Sequence, residues 1–367
     1  MLKVLPYLVF GLISGLASAA PVKIGAVYAN SGFLKPLDDA SWRGTQAAAA
    51  VASRAGQRVE LVYAPYDSTS ASAAQAVRGV LKNHPDVAGF VGVSDTGVAL
   101  SAGREAVRAG KVFVTSGATS PLLPRQLGSR FFLACFGDNV QAAAAAQWLR
   151  SAKKVSRVVV IYNSTQNYTR LLQRYFAAAF GQAGGKVTET MSYRPGEPVG
   201  LPRDLRSCEA IFLASASATE AGRVIAKLRA AGFKGPIVGG DGYDDPSYWN
   251  DEPLAENVFF TTHAYPAQGA GAASPATLSA FRGSYRGTPD AFGGLGFDAL
   301  RVLLAADPAQ GGDLAKRLSK IVPLAGVTGP IVYTGGSRVP LKPVALIAAE
   351  RPRQMLTQIT PSHVPAP

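Results

Sequence analysis

The chain is 367 residues long with a formal net charge of +13; 47% of it is hydrophobic and 17% charged. That length and apolar content exclude a disordered chain and suit two domains better than one. The basic residues are scattered, with no Lys/Arg block interleaved with aromatics, so no nucleic-acid partner is expected.

Residues 1–19 read as a secretory signal peptide. Lys3 supplies the positive start, LPYLVFGLISGL the apolar stretch, and Ala17-Ser18-Ala19 the small-residue cleavage pattern. No Cys follows the cleavage site, so no lipid anchor is expected there. No later apolar run is long enough to span a bilayer, which predicts a soluble exported protein.

From residue 22 a pattern repeats: a short β-branched or aromatic run, a turn, then an Ala-rich helical stretch. The first series of strands is VKIGAVYA (22–29), RVELVYA (58–64), VAGFVGV (87–93) and KVFVTS (111–116), with helices between them. After a break at CFGDN (135–139) the alternation restarts. It runs through SRVVVIYN, KVTETMSY, EAIFLAS, GPIVGGD and NVFFTTH. Strands alternating with helices predict parallel sheets covered on both faces, and two series predict two doubly wound α/β lobes. Beyond them, FGGLGFDALRVLLAA (292–306) reads as a helix. VTGPIVYT (327–334) and VALIAA (344–349) read as strands, and residues 356–367 as a disordered tail. The late elements return the chain to each lobe in turn. The expected division is 20–136 plus 263–329 for one lobe and 137–262 plus 330–355 for the other, joined by a three-segment hinge.

Ligands of such sheets bind where turns gather at the carboxyl ends of strands. TSGATSP (115–121) follows a buried run with small hydroxylated residues and no charge. Such a turn offers N–H groups and hydroxyls to a small polar or anionic group. Catalytic signatures are missing. There is no phosphate loop, no GxSxG elbow, and no HExxH or CxxC spacing. His84, His263 and His363 read as structural, and no cofactor or metal is expected. A chain of this kind is expected to bind rather than to catalyse.

Several stretches, in order, resemble one family along nearly the whole mature length. They are KIGAVYANSG (23–32), FVGVSDTGVALSA (90–102), FVTSGATSP (113–121), DNVQAAAAAQWL (138–149), NSTQNYTRLL (163–172), PIVGGDGYDDPSYW (236–249), PDAFGGLGFDALRVLLAA (289–306) and VTGPIVYTGGSRVPLKPVALI (327–347). The chain resembles the type I periplasmic solute-binding proteins of ABC importers, specifically the leucine/isoleucine/valine-binding family. The resemblance implies two Rossmann-like lobes that close on a small solute and present it to an ABC permease of the inner membrane, with the protein a periplasmic monomer. A signalling receptor of the same fold is the alternative role.

In members that bind amino acids, a hydroxyl residue in the second ligand loop and a Thr in the third hold the carboxylate. Thr96 and Thr119 match them. A carbonyl and hydroxyl of the third loop receive the ammonium group, which points to Gly117, Ala118 and Thr119. The opposite lobe supplies an acid, matched by Asp241, and an aromatic that closes over the ligand, matched by Tyr168. Where the family often carries an aromatic, this chain has Ser215 and Ser217, and its first loop carries Lys35, Asp38 and Asp39. These departures point away from a branched aliphatic side chain. They leave open a polar amino acid, an amide or urea, or another small carboxylate. Cys135 and Cys208 do not match the family's disulfide positions and are expected to be free thiols.

Overall fold

The structure is a computed structural model that describes residues 20–251 and 254–367. Residues 1–19, read above as a signal peptide, lie outside the described residues. Among the described residues no helix is long and apolar enough to cross a membrane.

The first lobe opens with β1 (Val22–Ala29), α1 (Lys35–Arg54), β2 (Val59–Tyr66), α2 (Ser70–Asn83) and β3 (Gly89–Gly92). It continues with α3 (Thr96–Arg108), β4 (Val112–Thr115), α4 (Leu123–Leu127) and β5 (Phe131–Leu133). These strands form a five-stranded sheet in the order β2-β1-β3-β4-β5, and every pairing is parallel. The strands are apolar on both faces because both are covered. Along one face Phe90, Phe113 and Phe131 stack in a row, with centroids 6.2 and 5.5 Å apart.

The chain then crosses to a second lobe. It comprises α5 (Asp138–Ser151), β6 (Arg157–Asn163), α6 (Asn167–Gln182), β7 (Lys186–Tyr193), β8 (Ala210–Ala214), α7 (Ala218–Ala230), β9 (Ile237–Gly239), α8 (Pro246–Asp251) and β10 (Val258–Thr262). A second crossing returns it to the first lobe as α9 (Pro275–Arg282), α10 (Ala291–Ala305), α11 (Leu314–Leu318), β11 (Leu324–Gly326) and β12 (Gly329–Ile331). A third leads to β13 (Val344–Ala348) and β14 (Gln354–Ile359). The second sheet has seven strands in the order β14-β13-β10-β9-β8-β6-β7, and β13 alone runs against the others, antiparallel to both β10 and β14.

Two expectations need correction. Residues 356–367 do not form a disordered tail: β14 reaches Ile359, its side chains alternating exposed and half-buried as an edge strand's do. Beyond it, the buried Asn139 side chain donates to the Pro365 carbonyl at 2.9 Å. The segment 327–334 is not one strand either. Residues 327 and 328 are the turn of a short hairpin between β11 and β12. The Asp298 carboxylate accepts both turn N–H groups, at 2.8 and 2.9 Å, a long-range interaction that local pattern does not reveal.

Helix α10 joins the first lobe by packing against α1 through glycines. A Cβ on Gly296 would land on the Ser41 carbonyl, and one on Gly44 on the Gly293 carbonyl. The backbones meet with no room for a methyl group. Gly296→Ala is therefore expected to destabilise the fold by about 1–3 kcal/mol, the range for overpacking a tight contact. Gly311→Ala, at a glycine with nothing within 4 Å of the added methyl, is the neutral control. Urea midpoints with unchanged slopes would measure both.

Candidate functional site

Both sheets reverse strand order beside the strand second from one edge, β1 in the first and β6 in the second. The loops leaving the carboxyl ends of the neighbouring strands face the space between the lobes. From the first lobe come the turns after β1, β3 and β4. From the second come those after β6, β8, β9 and β10.

The expected third loop, Gly117 to Thr119, is buried and its backbone is largely engaged. The Ala118 N–H bonds the Thr115 hydroxyl at 3.2 Å, and the Thr119 carbonyl accepts from the Asp138 N–H at 2.7 Å. The Ala118 carbonyl accepts from the thiol of Cys135 at 3.5 Å. Cys135 and Cys208 are both free. Thr96 opens α3, buried, and its hydroxyl has no hydrogen-bond partner among the described residues. The residue before it, Asp95, caps the helix by accepting the Val98 N–H at 2.9 Å.

Asp241 and Tyr168 meet directly. The Tyr168 hydroxyl donates to Asp241 Oδ1 at 2.7 Å, and Gln141 Nε2 donates to the same oxygen at 2.8 Å. His263 Nε2 bonds Asp241 Oδ2 at 3.0 Å. Because a carboxylate only accepts, that nitrogen carries the proton. Burial pushes the His263 pKa down and so favours the neutral ring. The ring stacks on Phe136 at 3.8 Å and turns its edge to Phe292 of α10. Gln141 also bonds Asp138 at 3.0 Å, so the hub reaches the residue held by the Thr119 carbonyl.

Ser215 and Ser217 lie apart from this hub. Ser215 is buried and hydrogen-bonded to the Tyr193 hydroxyl at 2.6 Å; Tyr193 in turn reaches Glu220. Ser217 caps α7 through the Glu220 N–H at 3.2 Å. Ser217 also lines a cavity of about 390 Å³ between the lobes, with Phe33 and Leu37 on one side and Glu220, Arg223 and Gly242 on the other.

Sequence reasoning missed Asp138, Gln141 and His263. Asp138 and Gln141 open a helix that was matched only as a stretch of the family's sequence, and a lone His ending a strand reads as structural. Their position at the two crossings was the available signal.

The model of the periplasmic binding protein family matches residues 21–351. A Leu/Ile/Val-binding protein homologue of Brucella melitensis biotype 1 is 28% identical over 256 residues, which is 68% of this chain and 69% of that protein. The leucine-binding protein LivK of Thermotoga maritima superposes with a TM-score of 0.80 at 24% identity, covering 93% of this chain and 99% of its own. A solute-binding protein of an ABC transporter from R. palustris, in complex with benzoate, superposes with a TM-score of 0.77 at 19% identity, covering 94% of this chain and 98% of its own. At these identities the structural likenesses establish the fold.

The hub has a pH signature. Burial, and then the negative charge of Asp241, push the Asp138 carboxyl up to about 8, while Thr119 and Gln141 hold it down. A carboxyl with a raised folded pKa binds its proton more tightly folded than unfolded, so its contribution to stability falls as pH rises from 3.8 towards about 8. Asp138→Asn, uncharged throughout, is expected to lose that decline. The stability of the variant relative to the parent should then grow across the same interval in urea titrations. A constant difference would show that Asp138 is ionised throughout.

Proposed function

The chain belongs to the periplasmic binding protein family, and on that premise we propose that it captures a small polar solute, an amino acid or a related compound, in the periplasm and delivers it to an ABC importer. The signal-like segment 1–19 accounts for export. In this reading the lobe built on β1–β5 with α9–β12 closes against the lobe built on α5–β10 with β13 and β14, about the three crossings. A solute favours the closed form only by its differential affinity for it, so it must touch both lobes.

The observation that carries the reading is the Asp241 hub, where Tyr168 and Asp241 of the second lobe meet the crossing residue His263 and reach Asp138 through Gln141. Thr96 and Thr119 offer uncharged hydroxyls from the first lobe. Asp241 faces the ammonium group of the solute and Tyr168 closes over it. Gly117 and Ala118 shape the first-lobe wall, while Ser215 and Ser217 support the second-lobe side through Tyr193 and the α7 cap. The R. palustris neighbour holds benzoate, so aromatic acids belong in the ligand panel beside amino acids, amides and urea.

The test is a thermal-shift screen of mature protein stripped of carried-over solute. A ligand at a hundredfold its dissociation constant stabilises by about 2.7 kcal/mol, and the hit names the solute class. Asp241→Ala is expected to weaken an amino-acid ligand by about tenfold or more, as the loss of a charged hydrogen bond does, while leaving a simple carboxylate nearly unaffected. Equal losses for both would remove Asp241 as the ammonium partner.

A further inference from the structure

Among the described residues that line the interlobe cavity of about 390 Å³, Arg223 is the single cation. It sits in the second turn of α7. Its side chain is exposed and makes no hydrogen bond or ion pair. A guanidinium carries a permanent charge and five N–H donors, with no acceptor of its own. The walls beside it are largely apolar: Phe33, Pro36 and Leu37 come from the first lobe, Pro195 and Ala218 from the second.

Two carboxyl groups share the cavity, and each is engaged within the second lobe. Glu220 accepts from the Tyr193 hydroxyl, from Asn163 Nδ2 at 2.9 Å and from the Ala216 N–H. Burial pushes its pKa up, against the restraint of those three donors and of the Arg223 charge. Asp245 Oδ1 accepts the Ser247 N–H at 3.0 Å in the turn that opens α8. The carboxyls have thus found neutral donors in their own lobe, while the guanidinium has found no acceptor. A solute cation would meet that guanidinium and carboxyls already bonded. A solute carboxylate would meet five donors without a protein acceptor, in the side chain whose planar fork suits a bidentate pair.

The cavity begins one residue from the hub. Gly242, which lines it, follows Asp241, and its N–H bonds the Tyr168 hydroxyl at 3.3 Å. A solute whose ammonium group sits at Asp241 has this cavity for its side chain, with α7 on one wall. We propose that Arg223 binds an anionic group on the side chain of the solute, so that the protein takes an acidic amino acid in preference to its neutral amide. The inference rests on the solute-receptor reading and narrows its solute class.

The experiment is calorimetric titration of the stripped mature protein with glutamate, glutamine, aspartate, asparagine, leucine and lysine. Each acid has nearly the shape of its amide, so the ratio of the two affinities isolates the charge. The expected result is one acid bound about tenfold or more tighter than its amide, the worth of one charged hydrogen bond. Arg223→Gln is expected to bring that acid level with its amide. Arg223→Lys, which keeps the charge without the planar fork, is expected to restore part of the preference. Because the side chain is exposed and unbonded, both variants are expected to fold with the melting temperature of the parent. An amide, leucine or lysine bound as tightly as the acids would keep the receptor reading and overturn the role of Arg223. A preference for the acid that survives intact in Arg223→Gln would overturn it too. Silence from the whole panel would overturn the role of Arg223 and the proposed amino-acid class together.

Discussion

A single buried carboxylate, Asp241, sets the geometry of the space between the lobes. Its partners come from three other chain segments: Gln141 in α5, Tyr168 in α6 and His263 past β10. An unpaired buried carboxylate is expensive, and here neutral donors, not a cation, satisfy it. The close approach limits what can stand nearby. A Cβ on Gly240 would collide with the Tyr168 hydroxyl, and one on Gly242 would lie 2.8 Å from the Ser215 carbonyl. The glycines of GGDG are thus a packing requirement of the hub.

A second polar cluster holds the hinge. Lys342, on the third crossing, is fully buried and donates to the Ala134 carbonyl at 2.7 Å and to the Thr328 hydroxyl at 2.6 Å, with Asp298 4.0 Å away. Ala134 adjoins the first crossing, so one ammonium ties the first crossing to the third. Burial pushes its pKa down to about 8, opposed by Asp298. His263 and Phe136 stack where the second crossing meets the first. The crossings are joined by directional hydrogen bonds and one ring stack. Such contacts can be kept through a rotation that an interdigitated apolar core would resist.

The cleft departs in charge from the molecule as a whole. The chain carries a net +13, yet four of its carboxyls, Asp38, Asp95, Asp138 and Asp241, are buried. Basic residues were free to scatter over the outer surface because solvation there is cheap. Inside the cleft each carboxylate is held by a cap, a hydroxyl or an amide.

Much of this was legible in the amino-acid order. Apolar strand runs such as VKIGAVYA and RVVVIYN, alternating with Ala-rich helices, determine two parallel-sheet lobes, because burial on both faces demands that local pattern. Resemblance, not spacing, singled out Tyr168 and Asp241, and the hydrogen bond between them belongs to the folded chain. Tertiary structure alone decided the rest. The turn at 327–328 depends on Asp298 about thirty residues earlier, and β14 depends on an edge of β13 that local sequence cannot show. Ser217 proved to cap a helix, and Ser215 to support Tyr193. His263 and Gln141 became hub residues only when segments up to 120 residues apart converged, as Thr261 and Gln141 do. Periodicity reports which face of an element is buried, but the partner of a buried polar atom is a long-range fact that the folded chain alone determines.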